Sequence, residues 1–456
     1  MSDITYQGKA VRNVAILGAG ESGVGTAILC KNKGIDAFLS DHGTIAPKHI
    51  DELETLQTPY EQGQHSVERI LAADILVKSP GIPNDAPVVL AAVDKGIPVV
   101  SEIEFASLFV PQGTRIVAIT GSNGKTTTTM LTTHLLRTCG YDAAACGNIG
   151  VSLARLVADD PHAIYVIELS SFQLDNMYTF RPDVAILLNI TPDHLDRYDH
   201  KMENYIAAKF RVYRNLTAAD TAVYWAQDPI VAPRMATLDT PATLCSFGVG
   251  CDASIVADNG VITDRASGMT FAIEGIATRG THNLLNSMAA ICACVKFGCD
   301  AASVNQGLRT FAPVEHRLED VADIDGVHYV NDSKATNVNS TYYALIAMTT
   351  PTVLILGGKD KGNDYSEILP LVKEKVHTIV AMGLHNEKII SYFGAAGIEV
   401  VDTHSLDDAI AACRAAAHAG DTVLLSPCCA SFDLFKSYED RGRRFKDAVR
   451  ALKPAN

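Results

Sequence analysis

Residues 115–127, Arg-Ile-Val-Ala-Ile-Thr-Gly-Ser-Asn-Gly-Lys-Thr-Thr, constrain this chain more than any other segment. An apolar, β-branched run ends in a glycine-rich turn, and a helical stretch follows over 128–137. Strand, loop and helix in that order form a phosphate cradle, because glycine lets backbone N–H groups close around oxygen at a helix N-terminus. In such a cradle Gly121, Ser122, Asn123, Gly124, Lys125, Thr126 and Thr127 surround the phosphates. Lys125 reaches the β/γ-phosphates of ATP and the Thr126 hydroxyl joins a Mg²⁺ shell. Ile119 stands where the usual six-position spacing needs glycine, so the motif is a shortened variant, G-x-x-G-K-T-T.

A strand of this kind belongs in a parallel sheet covered by helices, and the rest of the chain complies. Short apolar runs at 13–17, 36–39, 74–77, 164–169, 184–189, 353–356, 378–382 and 422–425 alternate with helical stretches. The fold class expected is α/β in three domains, with seams at Val110-Pro111-Gln112-Gly113 and Phe311-Ala312-Pro313-Val314. They run over 1–110, Rossmann-like; 111–312, a central P-loop ATPase-type parallel sheet; and 313–456, Rossmann-like again.

A net charge of −14 with no Lys/Arg-rich run argues against nucleic acid as a main partner. No apolar run approaches the ~18 residues of a membrane helix, and Met1-Ser2-Asp3-Ile4 opens no secretory signal, so no membrane partner and a cytoplasmic location are expected. Eleven irregularly spaced cysteines form no paired zinc pattern and read as buried, inert thiols.

A second glycine motif, Gly18-Ala19-Gly20-Glu21-Ser22-Gly23, follows the strand at 13–17, and Asp41 ends the next strand where a ribose-binding acid belongs. It fits NAD, any other diphosphate, or a tight turn without ligand. Together the two glycine motifs suggest two nucleotides, one consumed and one serving as a handle.

Glu168 ends an apolar strand, and Asp193-His194-Leu195-Asp196 follows another; open α/β sheets bind ligands at such strand ends. Glu168 is a hard oxygen ligand suited to Mg²⁺. His194 is either a second metal ligand or a core histidine. Lys209 falls on the apolar stripe of a helix at 204–213, so it must snorkel to water, pair, or be modified. Snorkelling is the simplest expectation. The alternative is a lysine of depressed pKa that reacts with CO₂ to give a metal-binding carbamate.

Together these residues resemble the Mur ligase family, the ATP-dependent ligases that build the peptidoglycan peptide. The resemblance covers essentially the whole chain through 121–127, Gly147-Asn148-Ile149-Gly150, 168–173, 189–196, 205–209, His282-Asn283-Leu284-Leu285-Asn286, His316-Arg317, 331–337, 426–435 and Arg441-Gly442. Residues 168–174, the motif at 18–23 and Ser79-Pro80-Gly81-Ile82 look like the branch that adds D-glutamate. Trp225, where relatives often carry Asn, and His42-Gly43, which lacks a basic residue some relatives have, depart from the pattern.

The resemblance implies two small-molecule substrates, UDP-N-acetylmuramoyl-L-alanine and D-glutamate, an acyl-phosphate intermediate, and a monomer. It implies that Lys125, Glu168, His194 and Lys209 are catalytic. Thr126 and Glu168 would hold one Mg²⁺; His194 and a CO₂-derived carbamate on Lys209 would hold a second. Asn283, Asn286, Arg317, Asp332 and Lys334 would bind ATP. Glu21, Ser22 and Asp41 would lie near the uracil, and Asn148, Ser170 and Gln173 would contact the same substrate. Thr336 and Lys361 would take the D-glutamate α-carboxylate, with Ser431 and Tyr438 near its side chain. A hinge near Pro313 would close on ATP. The rivals are a folate polyglutamate ligase of the same superfamily, an NAD-dependent oxidoreductase, and an ATP-binding protein without turnover.

Overall fold

The computed structural model describes residues 4–276, 280–312, 314–360 and 362–452. The chain forms two compact units, one of 1–276 with 285–311 and the other of 277–284 with 312–456.

The first unit holds two large sheets and a two-stranded antiparallel ladder of Thr5–Tyr6 with Lys9–Ala10. A five-stranded, all-parallel sheet has the order Tyr60–Gln62, Asp36–Asp41, Asn13–Leu17, Ile75–Lys78, Val99–Ser101. The order reverses on either side of Asn13–Leu17, so a crevice opens at its C-terminal end, as in Rossmann-like sheets. Gly18 sits there at φ 92°, a left-handed conformation that favours glycine. A Cβ on Gly23 would lie 1.8 Å from the Gly18 carbonyl oxygen, so helix Glu21–Lys33 packs this close only through glycine.

The second sheet has nine strands, with Arg115–Thr120 between Val184–Leu187 and Ile164–Glu168. Its pairings are parallel except at one edge, where Val261–Asp264 runs antiparallel to both its neighbours, Ile255–Asp258 and Thr270–Ala272. One continuous core links the two sheets, from Val14, Ile16 and Leu39 through Phe105, Leu153 and Ala154 to Tyr165 and Ile167. Buried carboxylates fasten the same seam. Glu104 accepts from the Tyr6 hydroxyl at 2.9 Å and from the N–H groups of Thr179 and Phe180 at 2.7 and 2.9 Å. Glu102 accepts from the Ala154 N–H at 2.6 Å, and burial raises its pKa to about 8.

The second unit carries a six-stranded sheet with cores on both faces. Glu319–Ile324 runs antiparallel at one edge, and the remaining strands are parallel. The expectation of parallel sheets therefore needs correcting at two edges. The pairs Ile255–Asp258 with Val261–Asp264 and Glu319–Ile324 with Val327–Asn331 are each joined by a two-residue turn, Asn259-Gly260 (φ 48° and 82°) and Asp325-Gly326 (φ 54° and 78°). Two successive left-handed residues match the twist of a hairpin.

All eleven cysteines are free, eight of them buried. One departs from the inert-thiol expectation: hydrogen bonds from Cys294 and then Cys139 pull Cys299 down to about 7, against its burial. Among the described residues, no helix is long and apolar enough to cross a membrane.

Candidate active site

The phosphate loop lies where its strand ends. Parallel register puts Glu168 beside Ile119 and Leu187 beside Thr120, so both neighbouring strands end level with the loop. Gly121 (φ 152°) and Gly124 (φ 84°) turn the chain into helix Lys125–Thr138. The neighbouring strand end braces the turn. Asn189 accepts from the Asn123 N–H at 2.9 Å and returns its own side-chain N–H to the Asn123 carbonyl at 3.1 Å. Ser122 donates to the Thr191 carbonyl at 2.9 Å, and its oxygen lies 3.0 Å from the Tyr205 hydroxyl. A Cβ on Gly124 would lie 2.3 Å from Asn286 Oδ1, so Asn286 packs directly against the loop. Thr126 and Thr127 are buried in the first helical turn.

Two lysines meet at the loop. Lys125 donates to the Gly121 and Ser122 carbonyls, each at 2.8 Å. Lys209, on helix Met202–Phe210, donates to the Gly121 carbonyl at 2.7 Å, with its nitrogen 4.6 Å from the Tyr205 ring centre. Lys209 is 1% exposed, which corrects the expectation that it snorkels to water. Burial first, then the Lys125 charge, holds its pKa well below the ordinary lysine value, with Asp193 and Glu168 opposing.

Glu168 is 2% exposed; Oε1 accepts from Asn148 Nδ2 at 3.0 Å, while Oε2 is buried with no hydrogen-bond partner. A buried, bare carboxylate oxygen is costly unless a cation meets it, so it fits a Mg²⁺ ligand. His194 is no core histidine. It adopts φ 52°, its side chain is 40% exposed, and Nε2 lies 3.6 Å from the Asp193 carboxylate.

Where the two sheets meet, Gly20, Glu21, Ser22, Ser79, Asn148 and Gln173 line a cavity of roughly 320 Å³. Ser170 and Gln173 form a reciprocal cap on helix Ser171–Leu174. Glu21 is paired with Arg155 at 2.8 Å and accepts from the Ser152 hydroxyl at 3.1 Å. Asp41 holds the Ala19 and Gly43 N–H groups at 2.6 and 2.7 Å. Both acids thus brace the crevice they line or border.

In the second unit, Asp332 follows strand Val327–Asn331 and accepts from the Ser426 hydroxyl at 2.8 Å and the Leu318 N–H at 3.3 Å. Burial raises its pKa to about 7 against the nearby Arg317 charge. Asn283 and Arg317 share a cavity of roughly 370 Å³, and Arg317 Nε is buried with no hydrogen-bond partner. The Lys334 nitrogen stands 5.3 Å from the ring centre of Tyr438. The Thr336 N–H donates to the Lys334 carbonyl at 2.9 Å, and Ser431 is buried. Lys361 and Pro313 lie outside the described residues.

Sequence reasoning gave Arg441 no role, yet it is among the largest fully buried side chains. Its guanidinium donates to the Ser333 hydroxyl and carbonyl at 3.0 and 2.8 Å and to the Cys429 carbonyl at 3.2 Å. One planar fork thus ties the loop bearing Asp332 and Lys334 to the loop bearing Ser431. The adjacent glycine is part of the same signal, since a Cβ on Gly442 would meet His316 Nδ1 at 2.2 Å.

Three family models match in order: the N-terminal domain of MurD-like Mur ligases over 12–101, the Mur ligase middle domain over 119–294, and the glutamate ligase domain of Mur ligases over 316–429. The fold and the loop define a ligase of the Mur class, and the chain belongs to the Mur ligase family. Its full-length relatives place it in the UDP-N-acetylmuramoylalanine–D-glutamate ligase branch. The enzyme of that name from Bacteroides fragilis is 50% identical, covering 97% of this chain and 100% of its own. That of Bacteroides thetaiotaomicron is 51% identical over the same shares. Among solved structures, UDP-N-acetylmuramate-alanine ligase from Thermotoga maritima shares the fold, with a TM-score of 0.63, 18% identity and coverage of 97% and 100%. E. coli FolC, in complex with DHPP and ADP, aligns with a TM-score of 0.57 and 15% identity, over 76% of this chain and 92% of its own.

Proposed function

We propose that the Gly121–Thr127 loop, with Glu168, His194 and Lys209, is where this ligase activates its acid substrate. The chain joins D-glutamate to UDP-N-acetylmuramoyl-L-alanine at the expense of ATP, a step of peptidoglycan precursor synthesis. The observation that carries the site assignment is the buried, unpartnered Oε2 of Glu168 on the strand flanking the phosphate loop.

A carboxylate resists attack by an amine because its carbonyl is resonance-stabilised and oxide is a poor leaving group. Attack of the substrate carboxylate on the γ-phosphate gives an acyl phosphate and ADP. The D-glutamate amine then adds to that carbonyl and phosphate leaves. Phosphoryl transfer needs positioning and neutralised charge more than covalent help. Lys125 moves from its two carbonyl partners onto the phosphates, and the loop N–H groups orient them. Thr126 and Glu168 hold one Mg²⁺; His194 and a carbamate on Lys209 hold the second. The metals supply positive charge for the transferring phosphoryl group.

Depressed basicity supports the carbamate, since only the neutral amine adds CO₂. Asn148, Ser170 and Gln173 contact the UDP-linked substrate, with Glu21, Ser22 and Asp41 toward the uracil. Asn283, Asn286, Arg317, Asp332 and Lys334 serve the nucleotide. Thr336, Lys361, Ser431 and Tyr438 receive D-glutamate. Three functional regions follow, 1–110, 111–312 and 313–456, in a cytoplasmic monomer.

The test is phosphate release from ATP, Mg²⁺ and UDP-N-acetylmuramoyl-L-alanine with D-glutamate, L-glutamate or no amino acid. Release that requires both substrates and the D isomer is expected in the wild type, and Glu168→Gln abolishes it. Undiminished release by Glu168→Gln would remove this carboxylate from the site.

A further inference from the structure

His377 is the extra residue of a β-bulge in the second unit. Strands Thr352–Gly357 and Val376–Met382 pair with Thr352 opposite Val376 and Val353 opposite Thr378, which leaves His377 without a partner across the ladder. A bulge re-aims the side chain it carries. Here the imidazole reaches Asp421, which precedes strand Thr422–Cys428 on the far side of Thr352–Gly357. Nε2 of His377 lies 3.1 Å from Oδ2 of Asp421. Nδ1 of His418 lies 3.5 Å from the same oxygen.

We propose that His377, His418 and Asp421 form a binding site for one first-row divalent transition ion of the Zn²⁺ type. The spacing carries the assignment. Zn–N bonds of about 2.0–2.1 Å and Zn–O bonds of about 2.0–2.2 Å imply ligand-to-ligand edges of about 3.3 Å in a tetrahedron. The two nitrogen-to-oxygen separations already bracket that edge, and all three ligand atoms lie within 4.8 Å of one another. His418 has an 83% exposed side chain and can rotate to close the remaining edge.

The surroundings hold the ligands in place. Asp421 is buried, and its Oδ2 accepts from the His418 backbone N–H at 2.7 Å, which fixes the carboxylate under the loop. Nδ1 of His377 lies 3.0 Å from the Thr378 hydroxyl oxygen, and that hydroxyl donates to Glu399 at 3.4 Å. The Thr378 contact at Nδ1 steers the ring and aims Nε2 at Asp421, where a metal ion would take the place of the proton between that nitrogen and the carboxylate. Metal-bound histidines are oriented by such outer partners. Two imidazoles and one carboxylate favour Zn²⁺, Ni²⁺ or Cu²⁺ over Mg²⁺, which prefers oxygen. Asp421 borders the cavity that Asn283 and Arg317 share, whereas neither His377 nor His418 lines it.

The test is calorimetric titration of the full chain with ZnCl₂ in excess Mg²⁺, comparing wild type with His377→Ala and His418→Ala. Each variant is expected to lose one Zn²⁺ equivalent while melting without metal at the wild-type temperature. Should either variant fail to fold, the Cu²⁺ electron paramagnetic resonance spectrum of the wild type reads the site directly through coupling to two imidazole nitrogens. Equal Zn²⁺ stoichiometry in the three proteins, or a Cu²⁺ spectrum without two-nitrogen coupling, overturns the proposal.

Discussion

The Lys209 amine donates to the carbonyl oxygen of Gly121 at 2.7 Å, so a buried lysine is tied to the first glycine of the phosphate loop. Nothing in spacing along the chain announces this contact, because the partners are 88 residues apart. A lysine held there, with Lys125 bonded to the same carbonyl, sits where its charge is least welcome.

Replacing Lys209 with Met is expected to separate catalysis from stability. Activity falls by roughly 10²–10³-fold, the usual effect of removing one charge-stabilising group. Stability moves the other way. The folded pKa is depressed, so between it and the unfolded value of about 10.4 the unfolded chain binds more protons. Wild-type stability therefore rises with pH across that window. Lys209→Met lacks the dependence and melts higher than wild type at neutral pH when CO₂ is excluded. In ¹³C-bicarbonate the wild type shows a carbamate resonance that the variant lacks. A wild type indifferent to CO₂ in both activity and spectrum would end the carbamate assignment.

Gly124→Ala strains the loop and its neighbour together. A left-handed φ of 84° costs a non-glycine residue about 1–2 kcal/mol, and the new Cβ would displace the Asn286 side chain, 2.3 Å away. The KM for ATP is expected to rise through displacement of Asn286, since the φ strain itself is the same with and without ATP. Gly113→Ala is the control, with φ 92° but no atom near its Cβ. It should destabilise without changing the KM for ATP. Equal KM effects in the two variants would show that Asn286 contributes nothing.

Much of this molecule is legible in its sequence, and the gaps have physical causes. The two strand–glycine–helix turns announce themselves because strand, turn and helix are contiguous in the chain. The antiparallel edges had a signal too, in Asn259-Gly260 and Asp325-Gly326, but the strand–helix alternation outweighed it. What spacing cannot supply is the distant partner. Glu21 reads as a substrate contact, yet its carboxylate is held by Arg155, 134 residues on. Lys209 is visibly costly on an apolar stripe, but only the fold decides between snorkelling and burial. Arg441 sits in a strongly charged segment, where its burial has no local mark.

The pH dependence of stability carries a second signature, from Asp332. Its folded pKa of about 7 exceeds the unfolded value of about 3.9. Between those values the native state binds the more protons, so Asp332 contributes stability at low pH that is lost as pH rises through about 7. Asp332→Asn removes this part of the slope. Relative to wild type, the variant is expected to gain in melting temperature between pH 5 and pH 8. A difference in melting temperature that stays constant across that range would mean Asp332 ionises as an ordinary carboxylate.

Arg441 offers the sharpest test of how the second unit holds its loops. Its fork satisfies the Ser333 hydroxyl and carbonyl and the Cys429 carbonyl at once. Lysine keeps the charge but cannot reproduce a planar, multidentate geometry. Arg441→Lys therefore leaves a buried carbonyl short of a donor, at a cost of about 1–3 kcal/mol. The loops it releases carry Lys334 and Thr336 on one side and Ser431 on the other, so the loss should appear in the use of substrates as well as in stability. The KM for D-glutamate is expected to rise while the melting temperature falls. Arg444→Lys is the comparison. Arg444 sits one helical turn from Asp440 on an exposed face, in a pair of the kind that contributes little. If Arg441→Lys and Arg444→Lys prove alike in both readouts, the buried fork does not position these loops. If only the melting temperature of Arg441→Lys falls, the fork supports the fold and leaves the amino-acid site alone.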